Sequence, residues 1–173
     1  MINSFTGRWA FLSNFYSCKI TYQGITYPST EHYYVAMKVK DDQIINGQFY
    51  PSADVRELVA RVSTPGQVKR FGRTLKLRKD WDDVKLGFME WCLREKFKDS
   101  KLQEMLLQTG DQELVEGNYW HDNYFGSCSC DKCGNKGQNH LGKLLMKIRS
   151  EIKGTTQTIP SLENILFPKD SLK

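Results

Sequence analysis

The stretch Tyr27-Pro28-Ser29-Thr30-Glu31-His32-Tyr33-Tyr34-Val35-Ala36-Met37-Lys38 joins a strand to a helix and sets the class of the fold. Pro28 stops the strand, because its ring nitrogen has no hydrogen to give a ladder. Ser29 is an N-cap residue and predicts a helix from Thr30 to about Lys40, with Glu31 in the first turn, where a carboxylate suits the helix dipole. On such a helix Glu31, Tyr34, Val35 and Lys38 share one face. Glu31 and Lys38 then stand two turns apart, about 10 Å along the axis, with room for a ligand to lie between them. The same spacing also describes a solvated pair flanking a core stripe, and periodicity alone leaves both readings open.

Upstream, Cys18 to Tyr27 alternates in the manner of a strand, and Gln23-Gly24 falls where a tight turn belongs, so a short hairpin precedes the helix. Downstream the signals are helical. Val55, Leu58, Val59 and Val62 follow Pro51-Ser52 at helical spacing, and Thr64-Pro65 opens a helix ending near Phe71-Gly72. The longest pattern runs from Asp80 or Trp81 to about Lys98, with Asp80 as cap; Ser100 caps a shorter helix stopped by Gly110. Gly117 to Gln138 has no period and reads as loop, and Leu141, Leu144, Leu145 and Ile148 define a closing helix. The expectation is a mainly α (α+β) single domain over residues 1–154 with one small N-terminal hairpin, followed by a C-terminal tail at 155–173.

A chain of 173 residues with 39% hydrophobic and 12% aromatic residues can bury one core without staples. No apolar run approaches a membrane span, and Met1 to Trp9 lacks the cationic and apolar blocks of a signal peptide, which predicts a cytoplasmic protein. Lys and Arg outnumber Asp and Glu by 25 to 20, an excess compatible with a phosphorylated ligand and too small to prove a nucleic-acid binder. Five cysteines, with Cys128, Cys130 and Cys133 crowded together, do not form the framework of a disulfide-stapled domain. Three thiolates with His121 or His140 as a fourth group fit a Cys3His zinc site in residue type; reduced thiols in a Gly-rich loop are the alternative.

No phosphate loop, Ser-His-Asp set or His-Glu-x-x-His pair is present. Beside the Glu31–Lys38 stripe, three runs hold polar groups in unusual settings. Phe11-Leu12-Ser13-Asn14-Phe15-Tyr16 encloses Asn14, which must find backbone or ligand partners. Leu77-Arg78-Lys79-Asp80-Trp81 sets cations and an aromatic at a helix entrance, suited to a phosphate and a stacked base. The cysteine loop contributes Asp122.

In their order these runs, continued by Lys96-Phe97, Leu106-Leu107-Gln108-Thr109-Gly110, Leu114-Val115-Glu116 and Gly137-Gln138-Asn139-His140-Leu141-Gly142, resemble the NADAR (YbiA-like) family over about residues 5 to 150. The resemblance implies a mainly α orthogonal fold and hydrolysis of N-glycosidic bonds between a ribose and a nitrogen base. Two kinds of substrate come with it: ADP-ribose on guanine in nucleic acid or nucleotides, and early phosphorylated intermediates of the riboflavin pathway. It also implies that Glu31, Trp81 and Asp122 belong to the active site, with Lys38 as a further catalytic group. Asn14, Arg78, Phe125 and Asn139 are candidate substrate-binding residues. Many members carry Trp-Gly after the loop Asp; here Tyr124-Phe125-Gly126 stands there, so a stacking role passes only to Phe125. The cysteine insertion occurs in a subset of members, so a metal there is structural and no cofactor is required for the chemistry.

Breaking an N-glycosidic bond leaves an oxocarbenium-like sugar, which calls for negative charge near C1 and a way to neutralise the departing base. Glu31 and Asp122 can divide those tasks. Lys38 could attack C1 if burial lowered its pKa, although the Glu31 carboxylate pushes the other way. A reading of another class is a noncatalytic ADP-ribose or nucleic-acid module with a cysteine-bound zinc, which predicts binding without product and loss of structure on chelation. The enzyme reading predicts free base or ADP-ribose among the products, with activity surviving chelation.

Overall fold

The computed structural model describes residues 1–158 of the chain. A 3-10 helix at Gly7–Leu12 leads into a hairpin of β1 (Ser17–Tyr22) and β2 (Ile25–Ser29), whose turn uses positive φ at Gln23 (48°) and Gly24 (80°). Positive φ at both central residues matches the right-handed twist of the strands. Helix α1 (Thr30–Met37) follows, with the Ser29 hydroxyl accepting from the His32 N–H as the cap chemistry predicts. The same hydroxyl meets His32 Nδ1 at 2.7 Å while Nε2 reaches the Val62 carbonyl at 2.9 Å. A carbonyl only accepts, so Nε2 carries the proton, and burial keeps the ring neutral by lowering its pKa.

A second hairpin, β3 (Gln43–Ile45) with β4 (Gln48–Tyr50), departs from the single hairpin expected. Its signal was present: Asn46-Gly47 between two short β-prone runs takes positive φ at both positions, 51° and 79°. Four helices come next: α2 (Ser52–Arg61), α3 (Pro65–Gly72), α4 (Trp81–Lys96) and α5 (Ser100–Gln108). Thr64 caps α3 through its hydroxyl with Pro65 in the first turn. Two expected caps are corrected. Asp80 occupies the N-cap position of α4, but its carboxylate is taken by Arg78; the cap of α5 is Asp99, not Ser100, and accepts from Leu102 N–H.

The segment read as loop contains two two-residue parallel strands, β5 (Gly117–Asn118) and β6 (Ser127–Cys128), before α6 (His140–Thr158). Helix α6 thus runs past Gly154, and of the expected tail residues 159–173 lie outside the described residues. Helix α1 lies at the centre of the fold, against α2, α3, α4 and β2. Its Tyr33, Val35, Ala36 and Met37 join Leu93, Phe97, Leu106 and Leu145 in one core. Gly142 permits the close docking of α6: a Cβ there would meet the Leu114 carbonyl oxygen at 2.0 Å. No helix among the described residues is long and apolar enough to cross a membrane.

Candidate active site

The 3-10 helix, the Ser13–Ser17 turn, α1, α3 and the Glu116–Phe125 segment surround a cavity of about 710 Å³. Three carboxylates line it, Glu31, Glu116 and Asp122, together with the cations Lys38, Lys69 and Arg73. Asn14, Tyr34 and Phe125 complete the inner wall, and Phe15 and Trp120 stand at its exposed edge.

Helix α1 delivers three of the four residues of its expected face to the cavity. Glu31, Tyr34 and Lys38 enter the cavity while Val35 goes to the core, so the solvated-pair reading does not hold: Glu31 is only 8% exposed. Desolvation pushes the Glu31 carboxyl above its ordinary pKa, against the pull of Lys69 and Lys38; Asp122 pushes in the same direction as burial. Desolvation lowers the Lys38 pKa, and the nearby Glu31 only partly restores it. The balance that the sequence left open is decided by burial.

Asn14 fastens this helix to the turn before it. Its backbone carbonyl accepts from Glu31 N–H at 3.0 Å and from the Thr30 hydroxyl, which also reaches Asn14 Oδ1 at 3.0 Å. From the other side, the buried Lys96 ammonium donates to the Ser13 carbonyl at 2.8 Å, and burial brings its pKa down to about 8. Lys96 therefore supports the turn and does not reach the ligand space.

Asp122 is held by the backbone around it. Its Oδ1 accepts from the N–H groups of Tyr124 and Phe125 at 3.1 and 3.0 Å, while the Asn118 side chain bridges Asp122 N and O. Phe125 packs edge-on against Tyr34 at 5.3 Å, which closes the wall between α1 and the Asp122 turn.

Three expected site residues lie outside the cavity lining. Arg78 is engaged by Asp80 at 2.6 and 3.0 Å, and its backbone N–H ties to the Lys38 carbonyl. Trp81 is buried, stacked on Phe88, and meets Tyr34 at 4.9 Å, so it backs a cavity residue from behind. Asn139, at positive φ (51°), receives Glu116 N–H at its Oδ1 and donates to the Leu114 carbonyl. It positions the segment that carries Glu116, just ahead of β5.

Reasoning from the sequence missed Glu116, Lys69 and Arg73. Glu116 is mostly buried, its Oε2 has no hydrogen-bond partner among the described residues, and burial with the help of Asp122 and Glu31 raises its pKa to about 7. Its signal lay inside the Leu114-Val115-Glu116 run. Lys69 and Arg73 sit four apart at the end of α3, which puts two cations on one face.

At the cysteine loop, His121, Cys128, Cys130 and Cys133 bring their ligand atoms within 4.8 Å of one another, a group able to hold a metal ion. His140 is not part of it: its Nε2 pairs with Gln138 Oε1 at 2.8 Å and its ring packs on Tyr124.

Residues 4–153 match the NADAR domain. The chain belongs to the NADAR family. It is 36% identical over 147 residues to N-glycosidase YbiA of Escherichia coli (strain K12), covering 81% of this chain and 79% of that protein. N-glycosidase Npun_R5314 of Nostoc punctiforme is 37% identical over 144 residues, covering 82% and 84%. A riboflavin biosynthesis protein of Vibrio vulnificus is 36% identical over 146 residues, covering 83% of this chain but 35% of the relative, so the chain spans about a third of that longer protein. The solution NMR structure of the E. coli protein YbiA superposes with a TM-score of 0.71 at 32% identity, covering 91% of this chain and 90% of that one. The mainly α, α+β fold implied by the resemblance is thus the observed one, and the family's named N-glycosidases are hydrolases acting on N-glycosyl compounds.

Proposed function

We propose that this member of a family of N-glycosidases removes ADP-ribose from guanine in nucleic acid or nucleotides. The observation that carries the reading is the composition of one cavity: three carboxylates beside three cations, with aromatic side chains at the mouth. Carboxylates suit a cationic sugar, cations suit a diphosphate, and the exposed Phe15 and Trp120 suit an adenine or a neighbouring base. A cavity of about 710 Å³ holds more than one ribosyl phosphate and its base, which favours the larger ligand.

In this mechanism Glu31 and Asp122 face the developing positive charge at C1 and the ring oxygen, or one of them orients water. Glu116, with its pKa near 7, holds the proton that the leaving guanine nitrogen takes as the C1–N bond breaks. Lys38 supplies an alternative nucleophile. Its neutral amine attacks C1 as the base departs, the ring oxygen then takes a proton as the sugar opens to a Schiff base, and water releases both sugar and lysine. Lys69 and Arg73 take over the phosphate role expected of Arg78. No step uses a cofactor, and a zinc ion at the cysteine loop would be structural.

A second reading draws on the name of the Vibrio relative: cleavage of early phosphorylated riboflavin intermediates in the same site. The noncatalytic binding module has less support, since a binding surface has no need of a buried, unpartnered carboxyl. The test incubates the protein with ADP-ribosylated guanine nucleotides or DNA and, separately, with aminopyrimidine ribosyl phosphates, and separates the products by mass. ADP-ribose released together with the unmodified guanine nucleotide or DNA supports the first reading; release from the pyrimidine substrate alone overturns it.

A further inference from the structure

We propose that His121, Cys128, Cys130 and Cys133 bind one Zn²⁺ ion, and that this ion fixes Trp120 and Asp122 over the cavity. The second half of this inference rests on the N-glycosidase reading of the cavity; the first does not.

The distances match a tetrahedral ion. His121 Nδ1 lies 3.3, 3.4 and 3.9 Å from the sulfurs of Cys133, Cys130 and Cys128. Zinc bonds of about 2.3 Å to sulfur and about 2.0 Å to nitrogen at tetrahedral angles put nitrogen and sulfur about 3.5 Å apart, inside that range. All the cysteines are free thiols. Three sulfurs and an imidazole fill four positions, so no site remains for water or substrate, as in structural zinc centres.

The backbone is shaped for it as well. In Cys130-Asp131-Lys132-Cys133-Gly134 the N–H groups of Cys133 and Gly134 fold back onto the Cys130 carbonyl at 3.0 and 2.9 Å, with Gly134 at φ 58°. Asn135 N–H, also at positive φ, returns to the Cys128 carbonyl. These bonds bring Cys128, Cys130 and Cys133 to one place, where the His121 ring meets them. His121 itself is held at φ 66°, a strained value for a histidine in an exposed loop, and a ligand bond gives that conformation a reason.

Its neighbours on both sides, Trp120 and Asp122, line the cavity, so a bond from His121 to zinc sets the direction of both. Asp122 also has its own turn and Asn118, so loss of the ion loosens the residue and does not remove it.

The test starts with protein purified without chelators and counts metal by plasma mass spectrometry, then replaces zinc with cobalt. One zinc per chain, and tetrahedral Co²⁺ bands with thiolate charge transfer, support the centre; no stoichiometric metal, or an octahedral cobalt spectrum, overturns it. His121→Ala and Cys133→Ser should lose the metal, His140→Ala should keep it, and His121→Cys should restore a four-ligand site. Retained metal in Cys133→Ser overturns the ligand assignment. For the positioning role, hydrogen exchange of the apo protein should rise over residues 117–128 while α1 stays protected, and kcat should fall about tenfold to a hundredfold, since small displacements of a reacting group cost that much. Unchanged exchange and kcat in the apo protein overturn that role. Zinc bound in a protein that hydrolyses neither substrate class counts against the proposed function and leaves the metal centre standing.

Discussion

Helix α1 and the Glu116–Phe125 segment face each other across the same cavity and are held there by different means. The helix is buried against three other helices, and Tyr33, Val35, Ala36 and Met37 are at most 1% exposed. The facing segment has little apolar burial; hydrogen bonds between its backbone and the side chains of Asn118, Asn123 and Asn139, and the thiol–imidazole cluster, give it shape. Packing therefore fixes Glu31 and Lys38 and also desolvates them, which is why both pKa values move toward the neutral forms. On the other wall polar bonds place Asp122, while the deeper Glu116 shares the burial of the helix side.

The contrast predicts that the helix carboxylate is the harder one to lose. Glu31→Gln should lower kcat by about a thousandfold or more with no change in the fold, a loss in the range seen when a preorganised electrostatic group is removed. Asp122→Asn should lower it by orders of magnitude too, and its amide oxygen can still accept from Tyr124 and Phe125 N–H, so the turn survives and the chemistry alone is tested. Steady-state rates with circular dichroism check both. Normal turnover in both variants would remove these residues from the site. Borohydride during turnover should trap an adduct on the wild type that is missing in Lys38→Met; no adduct on the active enzyme would rule out the Schiff-base route.

Glu116 tests the cost of the arrangement. Its pKa rises from an ordinary 4.5 to about 7, so folded protein holds a proton there that the unfolded chain has already released. Stability from this group is complete below pH 4.5 and is lost as pH rises through about 7, to a total of about 3 kcal/mol. Glu116→Gln keeps a neutral side chain at every pH. It should therefore be more stable than the wild type at pH 8 by up to about 3 kcal/mol, match it near pH 4, and turn over more slowly. Urea unfolding at the two pH values measures the first difference. In the wild type, kcat/KM should fall on the alkaline side of about pH 7 as the acid loses its proton.

Asn139 carries a smaller effect. Asn139→Ala leaves Glu116 N–H and the Leu114 carbonyl without partners in a buried setting and should cost about 2 kcal/mol of stability by denaturant unfolding.

What could be read in advance divides along the same line as the two walls. Helix α1 was legible because a cap and a repeating apolar face act locally, and Ser29, Thr64 and Gln23-Gly24 do what their chemistry dictates; Pro28 did not stop the strand, since β2 runs on to Ser29. The α4 cap failed because Asp80 has a stronger partner in Arg78, and the α5 cap lay one residue earlier, at Asp99. Trp81 and Arg78 have the right chemistry for a ligand, but their direction depends on how α4 enters the fold, which no local rule supplies. Glu116 and the pair Lys69 and Arg73 come from two segments distant in sequence, and they line one cavity only when α3 and the 117 segment close over α1. His121 could be told from His140 as the fourth group only by geometry, since both lie close in sequence to the cysteines.

The smallest effect tests the cavity mouth, where Lys69 Nζ lies 5.7 Å from the Phe15 ring centre and 5.8 Å from that of Trp120. The two rings are 44% and 58% exposed, so they are available to a ligand and contribute little to the core. Stacking of one base on an aromatic is worth about 1 to 3 kcal/mol, and an exposed ring belongs at the low end. Trp120→Ala should raise KM for an ADP-ribosylated guanine substrate about fivefold with kcat unchanged, because the ring lies at the cavity edge, away from the reacting bond. KM for an aminopyrimidine ribosyl phosphate should stay the same, since that ligand has no second base to reach the mouth. An equal rise for both substrates would place Trp120 at the reacting ribose; no rise for either would leave the mouth without a part in recognition and weaken the case for the larger substrate.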